Sequence, residues 1–409
     1  MPNVNLTVDW IGNEALRLLH EKAAFIGTIN REFDDSFKPG YGNTIRIRIP
    51  SQYTTRTGRV MDVQDGVQQS TNLIVGTQWG VDLRYNSQEM AQDLVNFQKL
   101  HLEPAMAQLV SRIEASTLAA ATQATWQTVG IPGSAITTLL YPGQARARLN
   151  QMLTPKSGRA IQMDSITMGE VVNGVAAYFN PSNAISEQYR EGLVARTAMA
   201  DYYENERVYN NVNTSDVTGW LDTYTIVDGD VDFTVSGFSV APTAGMVFTV
   251  TGGGTGSTVR VFACNPETKA AYSHAMQFVV TAAGTTSITF QPAIRLTGAR
   301  KNVCNSDGTD LTTTGTLILT SMINFVGSIS STYPTPLMYH RDAFTFATAP
   351  LPLMDDAIRC VNKSYDGISL RVWEGSDIRN DEKLTRIDIL WGFSAIRPQL
   401  ACRIIGSGT

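Results

Sequence analysis

The sequence changes character at Asn213, and that break limits what the chain can fold into. From Thr214 to Phe325 it is rich in Thr, Val, Gly and Ser. Short extended runs recur at Phe233 to Val235, Met246 to Val250, Val259 to Phe262, Gln277 to Thr281, Ser287 to Phe290 and Leu317 to Thr320. Gly252-Gly253-Gly254 and Asp307-Gly308 supply turns between them. Strands this short bury their apolar faces only by closing on one another, so the segment is expected to form a small all-β sandwich or barrel. Helix and strand patterns alternate on both sides of it, which makes the chain α+β with a β insertion.

Before the break, Ile11, Leu16, Leu18, Leu19, Ala23, Phe25 and Ile26 fit an amphipathic helix over Val8 to Ile29, with Gly27 near its end. Between Asn43 and Tyr85, Ile45, Ile47 and Ile49 alternate with Thr44, Arg46 and Arg48 until Pro50 stops the run. Leu73 to Leu83 returns as a second extended stretch, giving two strands joined by a long polar tip. The tip has almost no apolar anchor, so its order must come from docking on a neighbouring molecule. Leu100 to Trp126 is the longest predicted helix, with Pro104 tolerated in its first turn. Residues 142 to 157 suggest a shorter helix. Val171 to Ala177, a turn at Asn180-Pro181 and a helix near Ala184 to Glu191 follow. Beyond the insertion, Ala357 to Ile404 resumes the α+β pattern, with strands at Ser369 to Trp373 and Thr385 to Trp391.

At 409 residues and 43% hydrophobic, the chain has enough material for two or three cores. Only 17% of it is charged, below the roughly 25% usual for soluble proteins, which leaves surface available for burial against partners. A net charge of −5 and the lack of any Lys/Arg run argue against a chain whose main task is gripping nucleic acid. Arg46 and Arg48 read as sheet-edge solubility devices, so contact with DNA is expected to be weak and non-specific. Cys264, Cys304, Cys360 and Cys402 are scattered without C-x-x-C spacing and are expected to be reduced thiols. His20, His101, His274 and His340 lack metal-ligand spacing, and Asp355-Asp356 and the pair Asp377 and Asp381 read as turn caps. The glycines and hydroxyls from Gly252 to Ser257 resemble a phosphate loop, but no Lys follows them. No catalytic, cofactor or metal site is therefore expected, and the chain is not expected to be an enzyme. Met1 to Leu6 shows no basic segment leading into an apolar one, and no run approaches the roughly 18 apolar residues of a membrane span. A chain made in a cytoplasm and remaining soluble is expected, with no membrane partner.

The most specific signal lies near the end. Ser364-Tyr365-Asp366-Gly367-Ile368-Ser369-Leu370-Arg371-Val372-Trp373, Asp377-Ile378-Arg379-Asn380-Asp381, Arg386 to Phe393 and Arg397-Pro398 resemble the closing segment of Salmonella phage P twenty-two-type coat proteins. Tyr178-Phe179-Asn180-Pro181, Tyr189-Arg190-Glu191-Gly192 and Gly42-Asn43-Thr44-Ile45 add to the resemblance. It implies the Hong Kong ninety-seven-type capsid fold. The implied divisions are an N-arm at 1–42, an E-loop hairpin at 43–89, a P-domain with the spine helix at 90–139 and a first part of the A-domain at 140–213. An inserted I-domain at 214–330 and a closing segment at 331–409 complete them.

The resemblance also implies a major capsid protein. Copies would assemble as pentamers and hexamers into an icosahedral shell around phage double-stranded DNA, with a scaffolding protein and a portal as further partners, and the chain would reside in the virion. An encapsulin-like nanocompartment shell is the alternative. Within this reading, Arg56, Arg59, Asp62 and Asp65 at the hairpin tip are the candidate contacts between subunits, and Arg17 and Lys22 of the N-arm the candidate contacts with scaffold. No lysine occurs from Asn43 to Gln98, so covalent welding of subunits through a hairpin lysine is not expected.

Overall fold

The computed structural model describes the chain except residues 1–10, 12, 19–22, 34–41, 62, 67, 87–100, 137, 177–199, 214–217, 222–225, 237, 239, 253–260, 306–307, 309–310, 312–320, 328–331, 355–358, 366–367 and 407–409. It divides into two compact units: residues 1–48, 70–117 and 344–396 form the first, and 49–69, 118–343 and 397–409 the second.

The first unit is organised on one long strand, Glu382–Ala395. It pairs with Ile368–Asp377 along its first half, with Phe344–Ala349 along its second half, and with Thr77–Asn86 over residues 382 to 391. Arg359–Tyr365 continues the antiparallel sheet beyond Ile368–Asp377. Both strands expected near the C-terminus lie inside these longer ones. In Thr77–Asn86 the alternation Trp79, Val81, Leu83, Tyr85 against Gln78, Gly80, Asp82, Arg84 puts the large side chains on one half-buried face. Trp79 meets Trp391 edge to face at 5.0 Å, and the Arg112 guanidinium lies 4.9 Å over the Trp79 ring.

Two sequence expectations need correction here. The returning stretch at Leu73 to Leu83 is two strands, because Gln69–Ile74 pairs with Thr44–Ile49 while Thr77–Asn86 pairs with Glu382–Ala395. The chain changes partner at Val75-Gly76, just after Val75 N–H donates to the Asn43 carbonyl at 2.9 Å. The N-terminal helix, present at Asn13 to Leu18, does not run to Ile29; Ile26–Thr28 is a 3-10 turn. Phe25, Ile26 and Ile29 are all buried, and Phe25 N–H donates to the Glu114 carboxylate at 2.5 Å. Asn30 bridges Thr345 in parallel.

The long helix is Glu103–Ala124, and it contributes residues to both units. The buried Thr117 and Thr122 hydroxyls, and that of Thr125 just past its end, donate to carbonyls four residues back, which satisfies them without breaking the helix. In the second unit a five-stranded sheet runs in the order Thr128–Gly130, Ala401–Ile405, Leu337–His340, Arg159–Met163, Asp201–Glu204. Helices Leu140–Gln151 and Ser165–Ala176 pack on it through Ala145, Leu149, Met168 and Val171. The helix expected over 142 to 157 stops at Gln151. Leu153 takes a φ of 59°, and Arg159 donates to the Thr154 and Pro155 carbonyls, so the chain turns there into the sheet.

The inserted segment is a closed barrel in which Val247–Gly252, Gln277–Ala283, Ser287–Gln291, Asp232–Ser236, Thr218–Leu221 and Ser321–Phe325 pair in that order. The runs expected at 233–235, 246–250, 277–281 and 287–290 fall on barrel strands. Of the run expected at 259–262, Val259 and Arg260 lie outside the described residues, and Phe262 opens the strand Phe262–Cys264, which pairs with Ala271–Ala275 and Val303–Cys304 in a separate sheet. Leu317 to Thr320 lies outside the described residues, as do Gly253 to Ser257 and the helix expected at 184 to 191. Phe233, Phe248, Phe278 and Phe290 are buried in the barrel's hydrophobic cluster, with Phe325 packed against it. Phe248 lies 5.6 Å from Phe278, 5.8 Å from Phe290 and 6.5 Å from Phe233, ring to ring.

Arg403 in the second unit is 2% exposed, and its guanidinium donates to the Gly245 carbonyl at 2.6 Å, while among the described residues no carboxylate pairs with it and Nε and one terminal nitrogen find no acceptor. Burial pulls its pKa down to about 10. Replacing such a cation with an apolar residue of similar length removes a desolvation cost. Arg403→Met is therefore expected to raise stability by ~1 kcal/mol or more in urea denaturation; a loss of that size would show that the single bond to Gly245 outweighs desolvation.

Candidate assembly surface

The hairpin rests on Thr44–Ile49 paired with Gln69–Ile74, where Ile47 and Leu73 are buried and Arg46 donates to the Ser70 hydroxyl at 2.6 Å. Beyond the strands the tip is held by its own polar groups. Gln64 accepts from Thr54 N–H at 2.8 Å and donates to the Thr54 carbonyl at 2.7 Å, imitating one rung of a ladder. As a tip with almost no apolar anchor implies, its few apolar side chains are not buried: Tyr53, Val60, Met61 and Val63 stand at 65, 83, 75 and 74% exposure. Four exposed apolar side chains on one loop are a candidate surface for another molecule.

The charged residues chosen from sequence are placed unevenly. Arg56 donates to the Gly58 carbonyl, which fixes the turn, and Arg59 and Asp65 are exposed. Asp62 and Lys22 lie outside the described residues. Arg17 is paired with Glu14 at 2.6 Å, three residues earlier on the same helix. Much of its charge is thereby met within its own turn.

A second exposed apolar side chain sits on the turn between Ile368–Asp377 and Glu382–Ala395, where Ile378 is 95% exposed. The Asp377 carboxylate accepts from Arg379 N–H and from the Asn380 side chain, each at 2.8 Å, and Asp381 takes a φ of 52°. Asp377 is a turn cap here. Asp355 and Asp356 lie outside the described residues.

Among the described residues no group of three or more His, Cys, Asp and Glu side chains could hold a metal ion. The cysteines are free. Burial pushes the Cys402 thiol up to about 12, and a hydrogen bond with Cys304, together with burial, raises that of Cys264. His274 stacks on Tyr272 at 5.5 Å with Nε2 2.9 Å from the Gln151 side chain. Burial and then the Arg148 charge hold its pKa down to about 4, against about 6.5 for a free imidazole. The unfolded chain therefore takes up this proton first. The contribution is whole above pH 6.5 and falls away as pH drops towards 4, by up to ~3 kcal/mol. His274→Gln is expected to flatten the pH dependence of stability between pH 6.5 and 4, and identical slopes for variant and parent would contradict this.

No protein-family model matches the sequence, and no curated protein matches it. Solved structures do. A structure from Mycobacterium phage Che8 aligns over 95% of this chain and 92% of its own, with a TM-score of 0.50 at 10% identity. The capsid structure of the cyanophage P-SCSP1u aligns over 91% and 86%, with a TM-score of 0.45 at 8% identity. The capsid of Ralstonia phage GP4 aligns over 90% and 84%, with a TM-score of 0.42 at 7% identity. The likeness to the Che8 structure along nearly the whole of both chains establishes the fold, an α+β chain of the Hong Kong ninety-seven type that here carries a closed β barrel.

Proposed function

We propose that this chain is the major capsid protein of a tailed bacteriophage, self-assembling as pentamers and hexamers into the icosahedral shell around the double-stranded DNA genome. The observation that carries the reading is the hairpin tip, where Tyr53, Val60, Met61 and Val63 are exposed. Four apolar side chains left in water on one loop are the kind of group that a partner covers. A shell subunit uses them on its neighbour. The Hong Kong ninety-seven-type fold shared with a phage structure and the coat-protein motifs from Ser364 to Pro398 point the same way.

Residues 1–42 serve as N-arm, 43–89 as E-loop, 90–139 as P-domain, 140–213 with 331–409 as A-domain and closing segment, and 214–330 as I-domain. Arg56, Arg59, Asp62 and Asp65 are the proposed contacts with the next subunit, and Arg17 and Lys22 the proposed contacts with a scaffolding protein; a portal is a further partner. The shell is made in the host cytoplasm. DNA meets it only through weak, non-specific contact, and the chain catalyses no reaction. Each contact is weak, and assembly depends on many of them acting at once.

Replacing residues 54–66 with a short Gly-Ser turn tests the reading. The variant is expected to keep the parental thermal midpoint within about 2 °C and to lose shell formation in electron microscopy. The double change Val60→Asp with Met61→Asp is expected to act the same way, because it adds charge only where the monomer is already solvated. Intact shells from either variant would overturn the hairpin's role.

A further inference from the structure

Two thiols of the second unit meet in the sheet that Phe262–Cys264 forms with Val303–Cys304. Phe262 stands opposite Cys304 in the antiparallel register, and Cys264 N–H donates to the Asn302 carbonyl at 3.1 Å. Cys264 and Cys304 are therefore diagonal neighbours on one face of the strand pair. The Cys304 sulfur leans along its partner strand towards Cys264: its thiol lies 3.9 Å from both the Phe262 and the Ala263 carbonyl, and the two thiols share a hydrogen bond. Cys304 is fully buried, and Cys264, 3% exposed, forms part of the wall of a cleft of about 480 Å³. A small reagent in the cleft meets Cys264 first, and Cys304 lies behind it.

We propose that Cys264 and Cys304 are a latent disulfide, closed by exchange with a small-molecule disulfide that enters through the cleft. The Cys264 sulfur, once deprotonated, attacks one sulfur of the reagent, whose S–S bond breaks, and the released thiolate takes up a proton. The deprotonated Cys304 sulfur then attacks Cys264; the mixed bond breaks and the second small thiol leaves, protonated in turn. Two protein thiols are oxidised, and one disulfide is reduced to two thiols. The hydrogen bond with Cys304 and then burial hold the Cys264 proton on, against the charges of Lys301 and Lys269, so the first attack is slow. In a reducing cytoplasm the pair stays open, and lasting exposure to an oxidising medium closes it. A shell released from its cell meets such a medium; that timing rests on the capsid reading, whereas the bond itself does not. The chain between the two cysteines runs through Ala271–Ala275, Gln277–Ala283 and Ser287–Gln291, so the bond would close a loop that contains two barrel strands.

Incubation of the folded full chain with oxidised glutathione, followed by peptide mapping without reduction, tests this. The expected product has lost two thiols, contains a linked Cys264–Cys304 peptide and retains no glutathione. Because the closed loop restricts the unfolded chain, its thermal midpoint is expected to rise by about 5 °C and to return when dithiothreitol is added. Cys304→Ala is expected to stop the reaction at a glutathione adduct on Cys264, and the map of the parent chain decides the matter even where that variant folds poorly. Glutathione retained on Cys264 of the parent, a bond to Cys360 or Cys402 instead, all four thiols unreacted after prolonged exposure, or a linked chain with a lowered midpoint would overturn the proposal. None of these readouts requires shells to form, so failure of the bond and failure of the capsid reading are told apart.

Discussion

Asp388→Ala is expected to destabilise the first unit by ~3–5 kcal/mol, the cost of leaving a buried charge without its partner. Asp388 is fully buried in the middle of the long strand, where Arg371 from the adjacent strand donates to it at 2.7 Å and Arg386 reaches it at 2.8 and 2.9 Å. Arg371 is 4% exposed, and among the described residues its other contacts are the Pro352 carbonyl at 3.0 Å and the Trp373 ring at 5.7 Å, with no acceptor for its Nε. Removing the carboxylate therefore strands a cation with no route to water. The two arginines are not equivalent, because Arg386 is 47% exposed and regains water when its bond is lost. Arg386→Gln is expected to cost less than ~1 kcal/mol. Urea denaturation of both variants checks the contrast, and equal losses would show that Asp388 serves the sheet in some other way than by neutralising Arg371. The same carboxylate explains a glycine across the ladder: a Cβ on Gly80 would stand 2.5 Å from an Asp388 oxygen and 2.7 Å from the Ile387 carbonyl. Small size, not backbone freedom, is what that position requires.

Phe248→Ala is expected to cost ~3–5 kcal/mol and to loosen the barrel first. Phe248 is fully buried and its ring meets those of Phe233, Phe278, Phe290 and Phe325, so truncation opens a cavity that four neighbours border. Hydrogen exchange would show the loss in the strands that Phe248 joins, Gln277–Ala283 and Ser321–Phe325, before the five-stranded sheet is affected. Uniform loss of protection through the second unit would instead mean that barrel and sheet unfold as one.

The barrel was legible in the sequence because its strands alternate apolar and small polar residues between clear turns, as in Asp232–Ser236 and Ser287–Gln291. Arg159–Met163 was not, for the opposite reason. All five of its residues are buried, so it has no alternation, and its leading arginine looks like surface until Pro155, Thr154 and Asn150 are seen to take up its donors. The hairpin was visible as an extended pair, but not where its second strand ends. Leu73, Val75 and Trp79 keep the same parity through Gly76, and only the change of partner shows that one strand has become two. Its apolar tip was masked by the charges between which Val60, Met61 and Val63 are set. The motif Arg386-Ile387-Asp388 was noticed as a motif, yet alternation alone would place both charges on one solvated face. The depth of Asp388 depends on Arg371, which sequence periodicity does not bring beside it.

Sedimentation velocity of the full chain across a range of concentrations, with electron microscopy of the same samples, tests the central claim most directly. The account predicts closed shells or arcs of regular curvature in equilibrium with small oligomers, vanishing when residues 54–66 are replaced. A single monomeric species at every concentration, with or without a cognate scaffolding protein, would contradict it.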